Sequence, residues 1–376
     1  MKFVTRTFTT FVALLLLAGC YLPPVDVGLA VALSSAEQMT LAQSFSLWPN
    51  TVQDLYREAR EVRFYPALTN SVVPAAGGPL GYFVVAKGDW VSLYYVQLDP
   101  LMQPFQGHSD SIQIDSSAVE PFHVVHSLRD VGGEEKIALF RYRPDAETYT
   151  VATARNDGTG FLDSRRTDDI ATDVAPGLAP VAGGSFAAGF SPAGPEPRFA
   201  IVARGGLSLE SISFGFNAGG DLISGGSLIT GTPPAAPPGF GRVTLLALGV
   251  GQTRTIVNVP VDNQFRTYVL YEPAASLGSE YLPLGIAGRL ETVLATGEIL
   301  TRTRDRFVVS GPFGETRGSF PAGDLRFVHE REIEISPGEL EWHAVFTLTY
   351  WGRIDGDERL FVRVYVVPSA RLGSLR

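Results

Sequence analysis

The 376-residue sequence contains one cysteine, Cys20. It therefore has no disulfide within the chain and no cysteine-based zinc site. A body without cysteine suits an exported protein, where stray thiols would oxidise. Lysine is nearly as scarce: only Lys87 and Lys136 follow Lys2, and neither follows the glycines of a phosphate-binding loop. There are five histidines and no His-Glu-x-x-His. His123 and His126, in Pro121-Phe-His-Val-Val-His126, would share a face on a helix. The segment reads as extended, however, and on a strand they point to opposite sides, which is poor for one metal. No metal site and no cofactor is expected. Gly-x-Ser-x-Gly is absent. The stretches around Ser185 and Ser191 come near it but lack the final glycine. After the N-terminus no run reaches the 18 apolar residues of a membrane-crossing helix. Basic charge is in deficit, with a net charge of −9, which counts against nucleic acid as a partner.

The first twenty residues carry a pattern of their own. Lys2 and Arg6 precede an apolar run from Phe11 to Ala18, too short to span a bilayer and shaped like a signal peptide. Leu17-Ala18-Gly19-Cys20 then gives an aliphatic residue, two small residues and a cysteine. This resembles the lipobox of bacterial lipoproteins. The resemblance covers residues 1–20 only, and it implies cleavage before Cys20 and acylation of that cysteine. Several acyl chains on one residue give stable anchoring. Tyr21, where an Asp would signal inner-membrane retention in enteric bacteria, favours the outer membrane. The organisation expected is a signal peptide at 1–19, a lipidated tether at 20–33, a helical lead-in and β-rich domain at 34–284, and an antiparallel β domain or closing blades at 285–376.

The body is rich in what helices avoid. It has 40 Gly, 26 Pro, 23 Phe and 13 Tyr, a mix that predicts short strands joined by tight turns. Ser34-Ser35-Ala36-Glu37 resembles a capping box, with Met39, Leu41, Ala42 and Phe45 at helical spacing after it. A second helical pattern runs from Thr51 to Arg63. From about residue 64 the period becomes two. Hairpins are expected over Tyr82–Val96, Lys136–Thr153 and Arg198–Phe216, and a fourth begins at Phe265. Hairpins recurring at a loose interval predict an all-β fold of propeller type, with β-sandwich or jelly-roll domains as the alternative. Gly231 to Gly241, with two Pro pairs, reads as a loop. In the last hundred residues Trp342, Ala344, Phe346, Leu348 and Tyr350 fall on one strand face. Asp355-Gly356 marks a hairpin turn.

Few constellations carry chemistry. Arg302, Arg304 and Arg306, placed on one strand face, would clamp a phosphate, sulfate or acidic sugar. Glu330, Glu332 and Glu334 form a matching acidic stripe, and cross-strand pairing would explain both. Asp355-Gly356-Asp357-Glu358 lacks the alternation of a calcium loop. Asp163, Asp168, Asp169 and Asp173 around Arg165-Arg166 read as a solvated loop. Trp48, Trp90, Trp342 and Trp351 read as core aromatics. The function expected is a lipid-anchored envelope protein with a non-enzymatic binding or scaffolding role toward a protein or glycan. The alternative is a secreted hydrolase acting on glycan or peptide through loop carboxylates. Replacing Cys20 with Ser should abolish incorporation of labelled palmitate and move the protein from the detergent phase to the aqueous phase on phase partition.

Overall fold

The computed structural model describes residues 26–48, 58–67, 79–101, 103–116, 122–127, 135–143, 148–156, 161–171, 186–191, 198–205, 208–216, 222–226, 242–248, 252–261, 264–271 and 280–376. Helix α1 (Val27–Ala36) comes first and β1 (Thr40–Leu47) follows it. The remaining strands form four-stranded antiparallel meanders. Blade 1 is β2 (Glu61–Pro66), β3 (Pro79–Lys87), β4 (Trp90–Leu98) and β5 (Pro104–Gln113). Blade 2 is β6 (His123–Ser127), β7 (Glu135–Arg143), β8 (Thr148–Asn156) and β9 (Phe161–Ala171). Blade 3 is β10 (Phe186–Ser191), β11 (Arg198–Gly205), β12 (Ser208–Phe216) and β13 (Leu222–Gly226). Blade 4 is β14 (Arg242–Leu248), β15 (Gln252–Val261), β16 (Gln264–Tyr271) and β17 (Glu280–Ala287). Blade 5 is β18 (Arg289–Val293), β19 (Ile299–Arg302), β20 (Arg306–Ser310) and β21 (Thr316–Pro321). Blade 6 is β22 (Arg326–Ser336), β23 (Glu339–Ile354) and β24 (Asp357–Pro368), completed by β1 from the other end of the chain.

Among the described residues these make six four-stranded sheets. Contacts run β6 to β10, β10 to β14, β14 to β18 and β22 to β2, so the first strands of successive blades meet around an axis. The fold is an all-β propeller, and the sandwich alternative falls. Five sheets are complete meanders and the sixth is a three-strand meander closed by β1, with no strands exchanged between two layers.

The local chemistry accounts for the elements. Gly88 at φ 53 turns the β3–β4 hairpin, and Asp355 and Gly356, at φ 53 and 91, form the two-residue turn between Ile354 and Asp357. Both central residues of such a turn need positive φ. The expected β3–β4, β7–β8 and β11–β12 hairpins are present. The strand containing Phe265 is the third of blade 4, and it pairs antiparallel with β17 as the expected fourth hairpin requires. The N-terminal helix lies earlier than its spacing suggested. Its cap is Asp26, whose Oδ1 accepts from Leu29 N at 3.1 Å. Ser34–Ala36 end that helix, and Leu41 to Phe45 lie on β1. Edge pairing with β24 takes precedence over the weak helical spacing there. At the second helical pattern, Glu61–Pro66 is a strand and 51–57 lie outside the described residues.

The cores lie between blades. Phe307 and Phe320 of blade 5 meet Phe346 of blade 6 with ring centroids 5.3 and 5.8 Å away, over α1 and the C-terminal 3-10 turn Ser369–Ser374. A second cluster joins blade 6 to blade 1 through Val345, Val362, Phe64 and Phe83, and a third joins blades 1 and 2. This corrects the one-sided reading of β23. Ala344, Phe346 and Leu348 are buried, but so are His343, Val345 and Thr347, because a blade is covered on both faces. At the blade 5 rim, Gly318 lies against the Gly373 backbone where a Cβ would collide. Phe346→Ala should cost about 3–5 kcal/mol. Leu340→Ala, at the exposed end of β23, should change stability by less than about 0.5 kcal/mol. Both are read from denaturant midpoints.

Candidate active site in the channel

Val62 and Phe64 of β2 pack into the core between blades 6 and 1. Alternation therefore sends Glu61, Arg63 and Tyr65 the other way. Arg63 Nε donates to Glu61 Oε1 at 2.6 Å, with both side chains about one-quarter exposed. The Arg63 guanidinium also lies 5.9 Å from the ring centre of Phe122, just before β6. Burial acts to raise the Glu61 carboxyl, but Arg63, helped by Arg326 and Arg289, outweighs it and holds the carboxyl below the ordinary range. Burial raises the Tyr65 hydroxyl.

Blade 5 supplies the second carboxylate. In β18 the pairing with β19 slips between Leu290 and Thr292, so Glu291 has no cross-strand partner. This is a β-bulge on an innermost strand. A bulge re-aims the side chains around it, and bulges recur beside active sites. Leu290 and Val293, three apart, are both buried here, whereas a regular strand buries residues two apart. Burial pushes the half-buried Glu291 up from the ordinary carboxyl range, although Arg289, Arg63, Arg302 and Arg326 all pull it down. Charges from blades 1, 5 and 6 thus act on one carboxyl, and the same three blades act on Glu61. The two carboxyls share Arg63, Arg289 and Arg326 as neighbouring charges and are pushed in opposite directions.

The arginines are positioned by backbone. Arg289 stands directly opposite Arg302 in the β18–β19 ladder. Arg302 Nη1 donates to the Leu325 carbonyl at 2.7 Å, and Nη2 donates to the Gly323 carbonyl at 2.9 Å. Its guanidinium lies 5.2 Å from the Phe307 ring centre. That pins Arg302 to the turn leading into Arg326, the first residue of β22. Asp324 is exposed in the same turn. Burial and Asp26 raise its carboxyl against Arg326 and Arg302.

Several sequence expectations meet a different geometry. Arg302, Arg304 and Arg306 do not form one row: Arg302 ends β19, Arg304 is exposed in the turn, and Arg306 opens β20. Arg306 bonds to Ser319, not to an anion site. The Glu330–Glu334 stripe lies on β22, which pairs with β23 and not with β19, so cross-strand pairing does not join the two stripes. Glu330 Oε2 instead accepts from Ala295 N at 2.7 Å. Glu334 Oε1 accepts from Gly338 N at 2.8 Å. Asp163, Asp168 and Asp169 lie on β9 rather than in a loop, and Asp173 lies outside the described residues. His123 and His126 are on β6. Cys20 and the segment before it lie outside the described residues. Sequence reading missed Glu61, Arg63, Arg289, Glu291 and Arg326. Their only signal is charge at alternate positions of otherwise apolar first strands.

No family model and no curated protein matches the sequence. Solved structures do. An α-L-arabinanase from Penicillium chrysogenum, complexed with arabinobiose, is 11% identical at TM-score 0.41, covering 81% of this chain and 96% of its own. A GH93 α-L-arabinofuranosidase of Fusarium graminearum is 10% identical at TM-score 0.41, covering 87% and 99%. A GH43 endo-arabinanase from Bacillus licheniformis is 9% identical at TM-score 0.28, covering 73% and 94%. All three are named as glycan-cleaving enzymes. None of the three is named as a non-enzymatic binding or scaffolding protein, the role expected from the sequence, and that expectation is set aside. The likeness is one of fold.

Glu291 is raised in the folded state, so it binds its proton more tightly there than in the unfolded chain. Its contribution to stability is full below the ordinary glutamate range and is lost as pH rises through the raised folded value. Glu291→Gln should therefore raise the thermal midpoint at pH 7, and the gain should vanish near pH 4. Thermal melts at the two pH values check this.

Proposed function

We propose that the protein is a glycan hydrolase of the cell envelope, held there by lipid on Cys20. The observation that carries the catalytic part is the bulge at Glu291 on an inner strand, beside arginines that also flank the ion-paired Glu61. Glycoside hydrolysis needs two carboxyl groups in different states. One is protonated, to give its proton to the leaving oxygen. The other is ionised, to activate water or attack the sugar carbon. Pairs whose surroundings push their titrations apart are how one site provides both. Glu291, raised by burial, suits the acid. Glu61, lowered by Arg63 against the effect of burial, suits the ionised partner. The carboxyls sit on inner strands, not on loops as the sequence suggested, so the scaffold itself fixes them. The arabinan-cleaving propellers make arabinan a first substrate to try.

The envelope location draws on the lipobox resemblance of Leu17-Ala18-Gly19-Cys20. No described helix is long and apolar enough to cross a membrane. A glycan partner in the envelope fits both halves of the reading.

The test is release of reducing ends from arabinan and from neutral and acidic envelope polysaccharides by the full protein in detergent. Glu291→Gln and Glu61→Gln should each lower kcat by about 100-fold or more, with the fold retained by circular dichroism. Wild-type rates in both variants, or no release from any glycan by wild type, would overturn the proposal.

A further inference from the structure

The channel carries more positive charge than its own carboxylates balance. Arg289 and Arg302 stand directly opposite each other across two strands. Like charges in that register destabilise a sheet, and Glu291 of the same strand offsets that cost only in part. Arg302 is bonded by the carbonyls of Gly323 and Leu325. These neutral acceptors hold the guanidinium in place without cancelling its charge. Arg63 is matched by Glu61. Glu291 faces the influence of four arginines at once. Asp324 is exposed, in the turn before Arg326. Among the described residues, no acceptor within bonding distance holds the exposed guanidiniums of Arg289 or Arg326. The whole chain, by contrast, is at −9. Its surface would repel an acidic polymer in general, so a concentration of guanidinium at the axis is local and against the global trend. Field lines from such a cluster are focused by low-dielectric walls. The guanidinium fork also matches the planar oxygens of carboxylate and the oxygens of sulfate.

We infer that the channel accepts an anionic glycan, one bearing carboxylate or sulfate groups, and that Arg289 and Arg326 grip those groups while Arg302, pinned by backbone, supplies the fixed charge behind them. The inference rests on the channel being the glycan site proposed above. It goes beyond that reading by setting the charge of the substrate.

Binding is measured by calorimetry on the full chain carrying Glu291→Gln, so that cleavage does not consume the ligand. The probes are galacturonic acid oligomers, dextran sulfate and neutral arabino-oligosaccharides, each at low and at physiological salt. Acidic probes should bind at least tenfold more tightly than neutral ones and weaken as salt rises. Arg289→Gln and Arg326→Gln should each lower that affinity tenfold or more, and Arg304→Gln, in the exposed turn, should leave it unchanged. Tighter binding of the galacturonic oligomers marks carboxylate as the recognised group, and tighter binding of dextran sulfate marks sulfate. Neutral probes binding as well as acidic ones, or unchanged affinity in both arginine variants, would overturn the inference. The two proposals fail separately. Acidic oligomers bound but left uncut by wild type would sink the hydrolase reading and keep the charge preference. Arabinan cleaved by wild type while acidic oligomers bind no better than neutral ones would do the reverse.

Discussion

A ring of blades splays open unless its first and last strands are joined, and here the join is β1 against β24, in register from Thr40–Val366 to Leu47–Leu360. The pairing takes the outer edge of blade 6 out of solvent, where it would otherwise offer unpaired backbone groups to another chain. It also brings Phe45 against Phe64 of blade 1 at 5.4 Å, and it buries Leu47 in the core between blades 6 and 1. A second clasp lies beside it. Gln38 Nε2 donates to the Arg376 carbonyl at 2.6 Å, and Arg376 N donates to Gln38 Oε1 at 3.0 Å. The two ends of the described chain are thus held by ladder bonds, by apolar contact and by a side-chain amide acting as one more strand residue.

Face-to-face blades leave little apolar surface for the innermost strands to use. Their middle residues, such as Phe64 and Leu290, turn into the inter-blade cores. Of the residues between them, Tyr65 joins the core of blades 1 and 2, while Glu61, Arg63 and Glu291 have the arginines of other inner strands as neighbours. Charge is affordable there only when it is paired or partly solvated. Glu61 and Arg63 are paired, and Arg289 and Arg326 keep water. Glu291 has neither advantage in full, since its carboxyl is partly desolvated and shared among four arginines. The architecture that stabilises the ring therefore also creates a carboxyl that is reluctant to ionise.

Much of this architecture could be read from the residues. Alternating runs bounded by Lys87-Gly88-Asp89 or Asp355-Gly356 announce their hairpins, because those turns need residues that tolerate positive φ. What alternation cannot show is which hairpins share a sheet. Blade 5 fits four strands into Arg289–Pro321, too short for each strand to display a period. β1 was masked by chance, since Met39, Leu41, Ala42 and Phe45 fit a helix as well as a partnered strand. The site was less legible still. Arg302 stood out, but its sequence neighbours Arg304 and Arg306 diverge at the turn, while its real companions come from Arg63, Arg289 and Arg326. The bulge at Glu291 has no sequence signature, because a bulge is a relation between two strands rather than a property of one.

Ring closure has a temporal consequence. Glu61 comes from the first blade, whereas Arg289, Glu291 and Arg326 come from the last two, and those two blades meet the first only across the seam. A growing chain that has folded blades 1 to 4 holds only a fragment of the channel cluster. The charge cluster is assembled when the C-terminal strands arrive and β24 captures β1. Arrival of blade 6 and maturation of the site are one event, so a product that stops before it lacks the channel chemistry even where most of its blades have formed.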